Sequence, residues 1–124
     1  MSVTLHLAAI AAVSWGAETV IVNQSFHGRE INLRAGATLQ VELEQPGATG
    51  HLWELRDLDP EHLELLGVET REPSDPDRTG APLGKTWRLR ALRPGTANLT
   101  FLLLRPWEGP GEAVDTFALR VRIL

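Results

Sequence analysis

A chain of 124 residues, 43% of them apolar, is the size of one domain and long enough to bury a core without staples. A formal charge of −4, a single lysine (Lys85) and arginines scattered singly exclude a nucleic-acid binder that works by neutralising phosphates and a polybasic membrane-surface segment. The absence of cysteine removes disulfides, thiolate zinc ligands and thiol nucleophiles together.

At the N-terminus, Leu5 to Val13 has the length of a signal-peptide apolar region and is followed by the small residues Ser14 and Gly16. Met1 to Thr4 carries no basic residue, however, and His6 interrupts the run. Residues 1–17 are therefore read either as a signal peptide, which makes the protein periplasmic or secreted, or as an N-terminal extension of a cytoplasmic one. In the second case Val3-Thr4-Leu5-His6-Leu7 alternates as an edge strand does. The domain proper is 18–124. No run approaches the ~20 apolar residues of a membrane span.

From Glu18 onward the period is two, with turn signals between the runs. Thr19 to Val22 and Glu30 to Leu33 are short strands. Thr38 to Glu44 is half-buried, with Leu39, Val41 and Leu43 on one face and Gln40, Glu42 and Glu44 on the other. Gln45 to Gly50 breaks the pattern, and His51 to Arg56 resumes it with Trp53 and Leu55 sharing a face. Asp57 to Glu61 connects to a strand at His62 to Arg71 with a bulge at Gly67. Glu72 to Gly84 is a long Gly/Pro-rich loop, the kind that in compact domains is usually functional or disordered. Lys85 to Leu92 places Trp87, Leu89 and Ala91 inward, and Arg93-Pro94-Gly95 turns into Asn98 to Arg105, whose Leu99, Phe101 and Leu103 point in. Leu102 and Leu104, on the other face, imply partial burial there too. Pro106 stops that strand because it lacks an N–H and fixes φ, so Trp107 opens a loop running to Glu112. Ala113 to Leu124 closes the chain with Phe117, Leu119, Val121 and Ile123 inward.

Seven or eight short strands between Gly/Pro turns describe an all-β antiparallel sandwich. If successive strands run up and down, the loops 45–50, 72–84 and 106–112 share one end, while Asp57–Glu61 and Arg93–Gly95 share the other. Function is expected on loops held by a rigid scaffold, which makes the first end the binding end.

Thr49-Gly50-His51-Leu52-Trp53, the Gly-rich loop before Trp87, and Asn98-Leu99-Thr100-Phe101 leading to Arg105-Pro106-Trp107-Glu108-Gly109-Pro110 resemble the chagasin family of cysteine-protease inhibitors in order and spacing. The resemblance runs from about Gly28 to the C-terminus. It implies an immunoglobulin-like sandwich whose three loops form a wedge that enters the active-site cleft of a papain-like cysteine protease and inhibits it reversibly by occupation. It places Thr49 near the enzyme's catalytic cysteine, the second loop beside the cleft, and Trp107 on aromatic residues of the opposite wall. The implied protease-binding residues are Ala48, Thr49, Gly50 and His51 of the first loop, Gly80, Ala81, Pro82, Leu83 and Gly84 of the second, and Arg105, Pro106 and Trp107 of the third. Two loops depart from the family pattern. Pro46-Gly47-Ala48-Thr49-Gly50 stands where Asn-Pro-Thr-Thr-Gly is usual, and Gly80-Ala81-Pro82-Leu83-Gly84 where Gly-x-Gly-Gly is usual.

On the residues alone, Trp107 is either a lid on the core or a partner-facing ring, and Arg105 braces its own loop through Glu108 or backbone carbonyls. His51 flanks the first loop, where a change of its charge would be felt by a partner. The four histidines have no metal-ligand spacing, and no nucleophile motif occurs, so neither catalytic residues, nor a metal, nor a cofactor is expected. The expected protein is a monomer with no nucleic-acid or membrane partner. A carbohydrate- or peptide-binding adhesion module, with Trp107 as its stacking platform, is the alternative.

Overall fold

A computed structural model describes residues 18–46, 49–71 and 83–124. The readings of residues 1–17 and of Ala48, Gly80, Ala81 and Pro82 lie outside these described residues.

Eight strands follow in order: β1 Thr19–Val22, β2 Glu30–Leu33, β3 Thr38–Gln45, β4 Leu52–Asp57, β5 Leu63–Arg71, β6 Leu83–Ala91, β7 Gly95–Leu104 and β8 Asp115–Ile123. They form two four-stranded sheets, β1-β3-β6-β5 and β2-β8-β7-β4, that enclose one core. This is the expected sandwich, with one refinement. The four-residue edge strands β1 and β2 run parallel to β3 and β8, and the four other pairings are antiparallel. Parallel neighbours need a crossover rather than a hairpin. Here the chain crosses from the first sheet to the second through a 3-10 turn at Gln24–Phe26 and a left-handed Gly28 at φ +80°.

Alternation fills the interior as the sequence requires. Leu39, Val41 and Leu43 of β3 meet Trp87 and Leu89 of β6 in one sheet, and Leu99, Phe101, Phe117, Leu119 and Val121 face them from the other; all are buried. Trp87 lies edge-on to Phe101 with ring centroids 4.8 Å apart, and Phe101 is tilted against Phe117 at 5.8 Å, so an aromatic row joins the sheets. On the outer face Leu104 is buried and Leu102 half-buried. The bulge falls where Gly67 predicts it: the register steps between Leu65 and Gly67, which leaves Leu66 as the extra residue.

Register also fixes the ends. Gln45 pairs Leu83, Arg71 pairs Gly84, Leu52 pairs Leu104 and Leu103 pairs Asp115, so the connections after β3, β5 and β7 leave the sandwich together. At the opposite end the connections are tight. His62 Nδ1 lies 2.8 Å from Asp59 Oδ2, and this bond from His62 is the main reason that the Asp59 carboxyl sits below its usual range. Gly95, at φ +144°, lies so close to the His62 ring that a Cβ there would fall 2.6 Å from Nε2.

Strand ends shift from the sequence reading by up to three residues, as where β7 begins at Gly95 rather than Asn98, and two of the shifts change the stems of the loops. Leu83 and Gly84 belong to strand β6 rather than to the second loop, because the ends of β3 and β5 continue their ladders across both. Gln45 is the last residue of β3 and buried rather than part of the connection.

Candidate functional site

The loop end rests on a polar clasp between the sheets. Gln45 occupies the next inward position after Leu39, Val41 and Leu43, where a hydrocarbon would ordinarily sit. Its Oε1 accepts the Trp53 backbone N–H (3.0 Å), and the Trp53 carbonyl accepts from Lys85 Nζ (3.1 Å). The backbone of an edge strand is thereby paired by side chains of the opposite sheet, which is one way to close an open edge. The Trp53 indole N–H donates to the Glu44 carbonyl (2.9 Å), so the two stems of the first loop are tied directly. From the other side, the Gln24 amide donates to the Glu44 carbonyl (3.2 Å) and accepts its N–H (3.1 Å), extending the ladder beyond β1 with a side chain. Lys85 stands 5.3 Å from the Trp87 ring. Its partial burial pushes the ammonium below the usual lysine range, with Glu54 opposing the shift.

Above this base the first and third loops interlock. Arg105 Nε donates to the Thr49 carbonyl (3.1 Å), and Arg105 Nη1 faces Glu108 Oε2 at 3.8 Å. Arg105 thus braces its loop as expected, and it also binds the first loop to the third. Gly50 takes φ +82°, and the tip of the Trp107 indole lies against it: a Cβ at Gly50 would fall 2.9 Å from Cη2. Trp107 remains 71% exposed, so it is no lid; the tip of the ring rests on the neighbouring loop and most of the side chain is open to solvent. The loop then turns through a Pro110–Glu112 3-10 turn and rejoins the sheet, where the Val114 N–H donates to Leu103 (2.8 Å). Thr49 Oγ1 accepts the His51 backbone N–H (3.2 Å) and lies 2.9 Å from His51 Nδ1.

Of the second loop, the described part is its stems. The Arg71 guanidinium lies over Gly84, where a Cβ would meet Nε and Nη2 at 3.3 Å each, so glycine leaves room for the arginine. Leu83 is half-buried beside Gln45. Thr49, Gly50, His51, Arg105, Pro106 and Trp107 are brought together at one end, with Leu83 and Gly84 at the adjoining corner.

This end presents protruding loops. A depression of about 570 Å³ lies instead on the outer face of the second sheet, between Arg29, Asp57, Asn98 and Arg120. Among the described residues no three His, Asp or Glu side chains gather as metal ligands. The described histidines have local partners: His27 Nδ1 accepts the Ala118 N–H (3.0 Å), His62 meets Asp59, and His51 meets Thr49. The arrangement suits recognition of a concave partner by preformed loops.

Sequence reasoning missed Gln45, Lys85 and Gln24, the residues that hold the loop stems. Gln45 had a usable signal, since inward parity continues to it from Leu43. Lys85 had the same signal, since it shares the inward parity of Trp87, Leu89 and Ala91, whereas Gln24 had none, because it acts on a strand distant in sequence.

The model of the chagasin family, peptidase inhibitor I42, matches residues 32–121. A search of curated proteins gives no match. Among solved structures, the cysteine protease inhibitor EhICP2 from Entamoeba histolytica superposes with a TM-score of 0.77 at 18% identity, over 86% of this chain and 96% of that one. Amebosin gives a TM-score of 0.70 at 18% identity, over 87% and 99%. PbICP-C, solved in complex with falcipain-2, gives 0.64 at 17% identity, over 87% and 100%. At these identities the likeness to the three structures is one of fold.

Proposed function

The chain belongs to the chagasin family of peptidase inhibitors, and from that premise we propose that it inhibits papain-like cysteine proteases reversibly, by filling their active-site cleft with the three loops at one end of the sandwich. The observation that carries the reading is the interlock of Thr49-Gly50 with Arg105-Pro106-Trp107: a 71% exposed indole held against one loop by another, at the end of a rigid sandwich. Such loops lose little conformational freedom on docking, so more of the contact energy appears as affinity. Thr49 and Gly50 lead into the cleft, and Trp107 stacks on the wall, where truncation of a central aromatic costs ~2 kcal/mol or more. The loops act by occupation, with no bond made or broken by this chain, and one monomer engages one enzyme.

The relatives in fold support the reading: EhICP2 is a cysteine protease inhibitor, and PbICP-C is seen in complex with falcipain-2. A carbohydrate- or peptide-binding module is not favoured by this membership. The test is residual papain and cathepsin L activity against inhibitor concentration, with trypsin as control. Loss of activity in the two cysteine proteases alone supports the proposal, and full activity at large molar excess overturns it.

A further inference from the structure

The hydroxyl of Thr49 is the polar group of the first loop that lies in the implied cleft-facing position, and His51 is its hydrogen-bond partner. Thr49 Oγ1 already accepts the His51 backbone N–H at 3.2 Å, and the His51 ring nitrogen Nδ1 stands 2.9 Å away. A hydroxyl has one hydrogen to give and two lone pairs to receive. When Nδ1 carries a hydrogen, the ring donates, Oγ1 receives two bonds, and the Thr49 hydrogen is left for an acceptor outside the loop. When Nδ1 is bare, the Thr49 hydrogen is drawn into the ring and the loop has no hydroxyl donor to offer. The protonated imidazolium always carries a hydrogen on Nδ1, whereas the neutral ring divides between two tautomers.

We infer that His51 is a positioning residue which, through its Nδ1 hydrogen, presets the Thr49 hydroxyl as a donor toward an acceptor in the protease cleft, so that the inhibitor binds more tightly in acid than at alkaline pH. The inference rests on the inhibitor reading above and concerns the same site. Thr49 itself does not drift between these states, because the Arg105 guanidinium fixes its carbonyl at 3.1 Å, so exchange of the ring hydrogen redirects the hydroxyl and leaves the loop in place. Among the described residues, the charged groups on the elements that meet here include Arg105, Glu108 and Glu112 of the third loop, Glu44 and Glu54 on the strands flanking the first, and Arg71 and Lys85 at the stems of the second. All of them remain when His51 is replaced, so a comparison of variants cancels their titration and that of the enzyme.

The experiment measures the dissociation constant, by calorimetry, for papain whose catalytic cysteine is replaced by serine, at about pH 5 and about pH 8, with wild type, His51→Phe and His51→Asn. Relative to His51→Phe, wild type is expected to bind about three- to ten-fold more tightly at the lower pH than at the higher, the worth of one hydrogen bond. His51→Asn, whose amide can donate or accept but does not titrate, is expected to show the same pH ratio as His51→Phe. Equal pH ratios for wild type and His51→Phe overturn the inference while leaving inhibition intact. A wild-type protein that does not bind the enzyme at either pH overturns the inhibitor reading, and this inference with it.

Discussion

The indole of Trp107 rests on the α-carbon of Gly50, in a space that any side chain at position 50 would invade: the nearest ring atom, Cη2, would be 2.9 Å from a Cβ there. Gly50 also holds φ +82°, so glycine is required twice, once for its backbone and once for its neighbour. Gly50→Ala is expected to cost about 1 kcal/mol of stability through left-handed strain and to weaken protease inhibition by roughly ten-fold as the ring is displaced, corresponding to ~1.4 kcal/mol. Urea denaturation and an inhibition titration on the same preparation separate the two effects.

Arg105 joins the loops through a donor that lysine lacks. Its Nε serves the Thr49 carbonyl while Nη1 faces Glu108. Arg105→Ala is expected to weaken inhibition about five- to ten-fold, in keeping with one exposed charge-assisted bond, with the unfolding midpoint little changed. Arg105→Lys is expected to restore little of it, because an ammonium cannot reproduce the two-point fork. Inhibition constants for the three proteins check this.

Gln45 tests the clasp below the loops. Gln45→Leu keeps the volume but leaves the Trp53 backbone N–H facing a hydrocarbon, where it now has an acceptor at 3.0 Å. The expected loss is ~1–3 kcal/mol, the desolvation cost of an unpaired buried donor. Denaturant unfolding measures it, and an unchanged midpoint would show that the clasp contributes nothing.

Much of this was legible in the sequence because sheet periodicity is a local signal. The inward sets of β3, β6, β7 and β8, the Gly67 bulge and the stop at Pro106 each follow from neighbours within a few residues. Up-and-down alternation then brought the three loops to one end, and the exposure of Trp107 agrees with a partner-facing ring. What was not legible depends on groups far apart in the chain. Lys85 reaches the Trp53 carbonyl 32 positions away, and Arg105 reaches Thr49 across 56. The parallel pairing of β1 and β2 was hidden for a related reason: a four-residue strand reads the same whichever way it runs. The start of β6 at Leu83 was obscured because Gly84 looks like a turn residue, while its actual use is to make room for Arg71.

At the opposite end, the bond from His62 holds the Asp59 carboxyl below its ordinary value of 3.8. A carboxyl depressed in the folded state contributes stability that is fully present above its unfolded value and is lost as the pH falls through the folded one. The stability difference between wild type and Asp59→Asn is therefore expected to favour wild type at mildly acidic pH and to shrink steadily below pH 3.8. Urea midpoints across that range give the curve, and a difference that stays constant through it would contradict the assignment.

Inhibition of papain-like proteases is proposed to come from occupation of the cleft by a preformed wedge carrying Trp107. Its most direct test is the inhibition constant of Trp107→Ala against papain beside that of wild type, because an indole 71% exposed can be truncated without opening the core. Wild type is expected to inhibit and the variant to lose roughly 30-fold or more, equivalent to ~2 kcal/mol at a central aromatic, with an unchanged unfolding midpoint. Equal inhibition by the two proteins would contradict it.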